Sequence, residues 1–292
     1  MLSILIPVYN YDITALVLEV QKQCSKTGTM YEIIIANDNP HTPLKAIYTS
    51  DTTLPHCRFI QNPQNLGRTL TRKNLALSAQ YNTLLFLDAD VIPVNSDFIS
   101  LYLQHAGKQN QVVVGGYAYK PQKPVKGNNL RYKYGIEREQ KTAEERSVSP
   151  YENIFSGNFM IDKEVFLTNN YNGTDNFYGM DIYFSYQLYV YKANVIHIDN
   201  PIYHLGLEND AVFFAKCVES VKSRHLLLAN APGIENLNSL LRYYKTLKKY
   251  SLAGIVGFSF KIGKPLLKTM ILKKDPNLFC LDLYRLGYMC TL

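Results

Sequence analysis

No uninterrupted apolar stretch in this 292-residue sequence reaches the ~18 residues that would span a bilayer. The opening MLSILIPVYN has no basic n-region and no small-residue cleavage site, which reads against a secretory signal. Cysteines are sparse: Cys24, Cys57, Cys217, Cys280 and Cys290 are scattered, form no CxxC pair and leave an odd one out. Buried thiols in a reducing cytoplasm are therefore expected, not a disulfide frame. No GxxxxGK loop ending in Ser or Thr occurs, which excludes a P-loop ATPase or GTPase. GxGxxG is missing too, which counts against a dinucleotide enzyme. Acids are nearly missing between residues 241 and 275, where nine Lys or Arg meet one Asp; the rest of the chain has 22 bases and 23 acids. The net charge of +7 is thus a C-terminal feature.

What is present is a globular composition, 47% apolar and 19% charged. The length suits one large α/β domain, alone or with an appendage. LSILIPV (2–8), YEIIIAND (31–38), CRFIQN (57–62) and NTLLFLD (82–88) read as strands, with helical patterns from about Asp12 to Lys26 and over residues 68–80. Short apolar runs alternating with helices predict a mostly parallel sheet covered on both faces. Ligands of such sheets bind outside the carboxyl ends of the strands. Here those ends carry Pro7-Val8-Tyr9-Asn10, Asn37-Asp38-Asn39 and, in LLFLDADVIP, Asp88-Ala89-Asp90.

Taken singly, each polar residue has an ordinary explanation. Asp38 before Asn39-Pro40 suits a turn, Asp90 before Val-Ile-Pro suits a loop, and Arg68 and Arg72 suit a solvated helix face. Taken together, acids and bases converge on one sheet edge, and that convergence points to a site. Two carboxylates one residue apart can meet a divalent cation and a sugar or ribose hydroxyl. Mg²⁺ and Mn²⁺ favour such oxygen ligands and share their shell with substrate phosphates. The permanently charged Arg68 or Arg72 suits a phosphate.

ILIPVYN, IIIAND, NLGRTLTRKNLA and LLFLDADVIP, in that order, resemble the nucleotide-binding half of the inverting glycosyltransferase family 2, of GT-A fold. The resemblance covers roughly residues 1–215. It implies an α/β fold with a Rossmann-like sheet, a nucleoside-diphosphate sugar donor (UDP-sugar favoured) and metal-dependent transfer of a hexosyl or N-acetylhexosaminyl group with inversion. It implies that Pro7 and Tyr9 line the nucleoside pocket, that Asp38 contacts the base, and that Asp88-Ala89-Asp90 is the DXD motif. Asp90 is then the direct ligand of Mn²⁺ or Mg²⁺, with Asp88 near ribose or sugar. Two departures stand out: Asn37 replaces one acid of a usual pair, and Lys73 separates Arg72 from Asn74.

In ENIFSGNFMIDKEVF (152–166) the Ser156-Gly157-Asn158 break resembles the family's sugar-pocket segment, and an ordinary bulged strand is the alternative. Asp162 marks a helix start. In FYGMDIYF, Met180 stands where the family carries Glu, so Asp181 alone remains as the implied catalytic base; a helix cap is its alternative. Tyr178, Tyr183, Tyr186, Tyr189 and Tyr191 read mainly as packing. His204 resembles the family histidine that completes the metal shell, whereas His197 reads as structural.

Residues 1–231 are expected to form the transferase domain, with a nucleotide-sugar half at 1–110 and an acceptor half at 111–231. Residues 232–292 form a helical, basic, amphipathic region. That region suits peripheral contact at the inner membrane face, where lipid-linked acceptors occur, or packing on the domain; nucleic acid is not expected. The acceptor is read as a saccharide or lipid-linked saccharide, in polysaccharide biosynthesis. A sugar nucleotidyltransferase and a turnover-dead binding protein are the alternatives. The first would want a Gly-rich, Arg-containing loop after the first strand, and IPVYNYD is not one.

Overall fold

The computed structural model describes residues 1–49, 55–121 and 127–292. In chain order the elements are β1 (Leu2–Val8), α1 (Thr14–Ser25), β2 (Tyr31–Asn37), α2 (Leu44–Ile47), β3 (Cys57–Gln61) and α3 (Gly67–Ser78). There follow β4 (Thr83–Leu87), β5 (Val91–Pro93), α4 (Phe98–Leu103), β6 (Gln111–Val114), β7 (Tyr117–Ala118), α5 (Asn129–Tyr134) and α6 (Ala143–Ser147). The remainder is β8 (Asn158–Asp162), α7 (Lys163–Asn169), α8 (Asp181–Tyr191), β9 (Asn194–His197), β10 (Ile202–His204), α9 (Asp210–Leu228), α10 (Ser239–Lys249), α11 (Ala253–Ile271) and α12 (Leu278–Met289). These residues form two compact units. One comprises Met1–Tyr119, Gln140–Asn176 and Gln187–Gly206; the other comprises Lys120–Glu139, Phe177–Tyr186 and Leu207–Leu292.

The first unit is built on a seven-stranded sheet in the order β3-β2-β1-β4-β8-β6-β9. All neighbours are parallel except at β8, which runs antiparallel to both β4 and β6. Leu2, Ile4, Leu5 and Ile6 of β1 are fully buried on both sides of the pleat, as a continuous apolar run requires of a covered parallel strand. The chain lays β2 and β3 on one side of β1 and then returns to lay β4 on the other. That reversal opens a crevice at the carboxyl ends of β1 and β4, where open α/β sheets bind ligands.

The expected strands and helices are present, with ends shifted by a residue or two. Not expected from the sequence was a second, three-stranded sheet, β5-β10-β7. Beside it, Arg146 joins the ends of β6 and β9; it is 1% exposed and meets no carboxylate among the described residues. Its guanidinium donates to the carbonyls of Lys141, Gly115 and Ile198 and to His197 Nδ1. Neutral acceptors thus satisfy a buried cation, although burial holds its pKa below the usual arginine range. His197 also has Nε2 2.9 Å from the Pro150 carbonyl, a structural placement.

The second unit is helical. Leu130, Phe213, Phe214, Cys217, Leu281 and Tyr284 share one core, joining α5, α9 and α12. Asp210 Oδ1 accepts from the Leu130 amide at 2.7 Å, which ties the start of α9 to α5.

Candidate active site

The site is assembled at the end of β4. Leu87 closes the strand, and Asp88, Ala89 and Asp90 follow before β5 turns the chain into the small sheet. The two acids meet opposite surroundings. Asp88 is 6% exposed, and Arg72 Nη2 donates to its Oδ1 at 2.5 Å while Arg68 Nη1 lies 3.8 Å from its Oδ2. Both arginines come from one face of α3, where a four-residue spacing puts side chains one turn apart. Burial pushes the Asp88 pKa up, but Arg68, Arg72 and His204 outweigh it and hold the carboxyl below the usual aspartate range. Asp88 is a fixed anion.

Asp90 has no arginine at hydrogen-bond distance among the described residues. Its Oδ2 lies 3.6 Å from His204 Nε2. Strand pairing explains this meeting across the sequence. β10 runs antiparallel to β5 with His204 opposite Val91, and the Leu205 amide donates to the Asp90 carbonyl at 2.8 Å. Gly206 follows, and a Cβ there would overlap Asp90 Oδ2. Burial is the largest influence on Asp90 and raises its pKa; Asp88 adds to the rise, and His204 and Arg68 oppose it. A buried carboxylate with a second carboxylate close by is a place where a cation would stabilise the charged form. Tyr117 and Tyr119 flank His204, with ring centroids 5.7 Å and 5.9 Å away.

Gly157 faces Asp88 across the β4–β8 ladder, its carbonyl accepting from the Asp88 amide at 3.1 Å. A Cβ at Gly157 would overlap Tyr117 Oη and lie 2.5 Å from Asp88 Oδ2, so only glycine permits this approach. The neighbouring Asn158 is fully buried. Its Nδ2 donates to the carbonyls of Gly116 and Asn200, and its Oδ1 accepts from Tyr102 Oη. Its side chain is committed to the frame of the site.

At the end of β2, Asp38 does not serve the Asn39-Pro40 turn. Its Oδ1 accepts from Asn62 Nδ2 and the Leu66 amide, and its Oδ2 from the Gly67 amide, each at 2.9 Å. Leu66, at the start of α3, has no capping side chain of its own, so Asp38 caps that helix from another strand. Asn37 is buried as well, donating to the Thr42 carbonyl and Gln61 Oε1. At the end of β1, Pro7 is half-buried and Tyr9 is 54% exposed.

Residues 3–168 match the family model described as Glycosyl transferase family 2. The chain belongs to that family. No curated protein matches it. A solved structure titled "Crystal structure of S. aureus TarS" is similar in fold, at 15% identity with a TM-score of 0.51. The match covers 77% of this chain and 40% of that one, so this chain spans well under half the length of that relative. The mixed sheet with its flanking helices is the GT-A fold.

Among the described residues of this family 2 chain, no three or more His, Cys, Asp or Glu gather as a complete metal cage. Asp90 and His204 still fit a cation of the Mg²⁺ or Mn²⁺ kind. Such ions keep waters and take much of their shell from substrate phosphates, so two protein ligands suffice. Tyr11 also belongs to this neighbourhood and was missed by sequence reasoning. Burial first, and then the charges of Asp90 and Asp12, push its phenol pKa up. Its only signal in the sequence was its place two residues beyond Tyr9.

Asp181 lies in the helical unit, as the first residue of α8. It follows Gly179, whose φ is +80°, and the buried Met180. In the same unit lies Arg224, which sequence reasoning did not single out. Burial and the nearby Arg285 hold the Arg224 pKa below the usual arginine range, with Tyr134, Cys217 and Asp181 opposing. Arg224 Nε is shut off from solvent without a hydrogen-bond partner.

Proposed function

We infer that this chain transfers a sugar from a nucleoside-diphosphate sugar, a UDP-sugar by preference, to a hydroxyl of a saccharide or lipid-linked saccharide, with inversion. The transferred group is a hexosyl or N-acetylhexosaminyl residue. The observation that carries this reading is Asp90 beside His204, next to an arginine-locked Asp88, at the carboxyl ends of β1 and β4. In a family 2 chain that arrangement supports a nucleotide-diphosphate site.

Asp90 and His204 would hold Mn²⁺ or Mg²⁺. When bound, the metal supplies positive charge against the charge that builds on the departing diphosphate. Asp88, fixed as an anion by Arg72, accepts hydrogen bonds from ribose or sugar hydroxyls without needing to reorganise. Arg68, whose side chain is 55% exposed at the rim of Asp88, would meet a phosphate; Arg72, at 7%, stays as the brace. Pro7 and the exposed ring of Tyr9 offer an edge and a face to the nucleoside. Asp38 acts on the base side by holding the start of α3 in place. Gly157 leaves room for the sugar beside Asp88, and Asn158 holds that gap open from inside. Asp181 takes the acceptor hydroxyl's proton as the anomeric carbon is attacked in line.

A thermal-shift screen of UDP-, GDP- and dTDP-sugars, with and without Mn²⁺, tests the reading. One nucleotide class is expected to stabilise the protein by ~2.7 kcal/mol at about 100 times its dissociation constant, and only with metal. Stabilisation by none of them would overturn the donor assignment.

A further inference from the structure

Helix α11 is apolar on two opposite faces. Its inner face packs against α12. Gly257, Phe260 and Ile271 are buried, and the Phe260 ring meets Tyr284 edge-on at 4.9 Å between centroids. Gly287 of α12 makes that approach possible, since a Cβ there would lie 2.6 Å from the Phe260 ring. This packing fixes the rotation of α11, and the opposite face is left outward. That face carries Ile255, Phe258, Ile262 and Leu266, which are 63%, 67%, 69% and 69% exposed. Their spacing of three or four residues aligns them in a single stripe. Single exposed apolar residues need no explanation, but a continuous stripe marks an interaction surface.

Charge identifies the occupant. Residues 239–274 contain nine Lys or Arg and no Asp or Glu. Lys261, Lys264 and Lys268 of α11 are exposed, and Lys248 and Lys249 end α10 just before it. A second copy of this chain docked stripe to stripe would bring these cations against one another. An anionic lipid surface would attract them, at about fivefold in affinity for each Lys or Arg near the headgroups. Among the described residues no helix is long and apolar enough to cross a membrane, so α11 would lie on the surface and not through it. We propose that the outward face of α11 seats in an anionic bilayer, with Phe258 and Ile262 at the acyl boundary and the lysines at the headgroups. This goes beyond the transfer reaction and stands without it.

The test is flotation of the full chain with phosphatidylcholine vesicles, alone or mixed with phosphatidylglycerol. Binding is expected only to the mixed vesicles and should weaken as salt rises. Phe258→Gln with Ile262→Gln should lower binding at least about tenfold, because burial of two large apolar side chains is lost. Lys261→Gln with Lys268→Gln should lower it on the order of 25-fold. All four side chains are exposed, so circular dichroism should show each variant folded. Equal binding by parent and variants would overturn the proposal. So would absence of vesicle binding together with a parent dimer, seen by light scattering, that the Phe258/Ile262 variant dissolves; the stripe would then be a self-association face.

Discussion

Arg72 in the sheet unit is a buried cation and Arg224 in the helical unit a partly buried one, and they are balanced differently. Arg72 grips Asp88 at 2.5 Å, and that carboxylate stays ionised under the combined pull of two arginines. Arg224 has another arginine, Arg285, working against it, and Asp181 supplies part of the opposing charge from α8. In the sheet unit the charge is paired in place, so the strand end is a rigid, prearranged anion. In the helical unit Asp181 is the least of the groups that oppose the lowering of Arg224, so the proposed base is not the brace of its surroundings. The same kind of substitution should therefore separate stability from activity in opposite ways at the two places.

The largest effect is expected at the proposed base. Asp181→Asn should lower turnover by about 10²–10⁴-fold while donor and metal binding persist. Its stability in urea should change by less than about 1 kcal/mol, because Tyr134 and Cys217 also oppose the lowering at Arg224. Parent turnover in a folded variant would move the base elsewhere. The sheet unit is broken most directly by Asp88→Ala, which strands the enclosed Arg72 and should cost about 3–5 kcal/mol of stability. A loss below about 1 kcal/mol would mean that the pair is not the brace described. Gly157→Ala sharpens the contrast within the same strand pair. Its methyl group would press on Asp88 and Tyr117, so a loss of about 1–3 kcal/mol and weaker donor binding are expected.

The smallest effect runs the other way. Asp90 has a folded-state pKa above its ordinary value of 3.8, so the folded chain holds that proton more tightly than the unfolded chain. Its contribution is complete below the ordinary value and is lost as pH rises through the raised one. Metal-free Asp90→Asn should then be more stable than the parent near neutral pH, by about 0.5–1 kcal/mol, with the difference vanishing near pH 4. Melting curves across that range check it. A variant less stable than the parent at neutral pH would contradict the electrostatic account.

Much of this was legible in the sequence where the physics is local. Long apolar runs disclosed β1, β2 and β4, and acids at a strand end drew attention to Asp88 and Asp90. Pairings distant in sequence were not legible. β5 and β10 are three residues each and meet across more than a hundred residues, so nothing in VIP or IYH announces the sheet that brings His204 to Asp90. Taken alone, Asp38 suited a turn, and the resemblance gave it a contact with the base; that it caps α3 from the end of β2 was hidden because a cap is sought next to the helix it serves. Arg68 and Arg72 were visible as a helical pair, but Asp88 as their common partner was not. In the tail, bases and apolar residues signalled an amphipathic region. Which apolar face is outward became clear only once Phe260 and Gly257 were seen to fix the inner one.

The central claim is that Asp90 and His204 hold a divalent cation shared with a nucleoside diphosphate. Calorimetric titration of the diphosphate selected by the donor screen, with and without Mn²⁺, into the parent and Asp90→Asn tests it most directly. The account predicts that Mn²⁺ tightens binding to the parent by about tenfold or more and leaves the variant unchanged. Equal tightening in both proteins, or equal binding to the parent with and without metal, would contradict it.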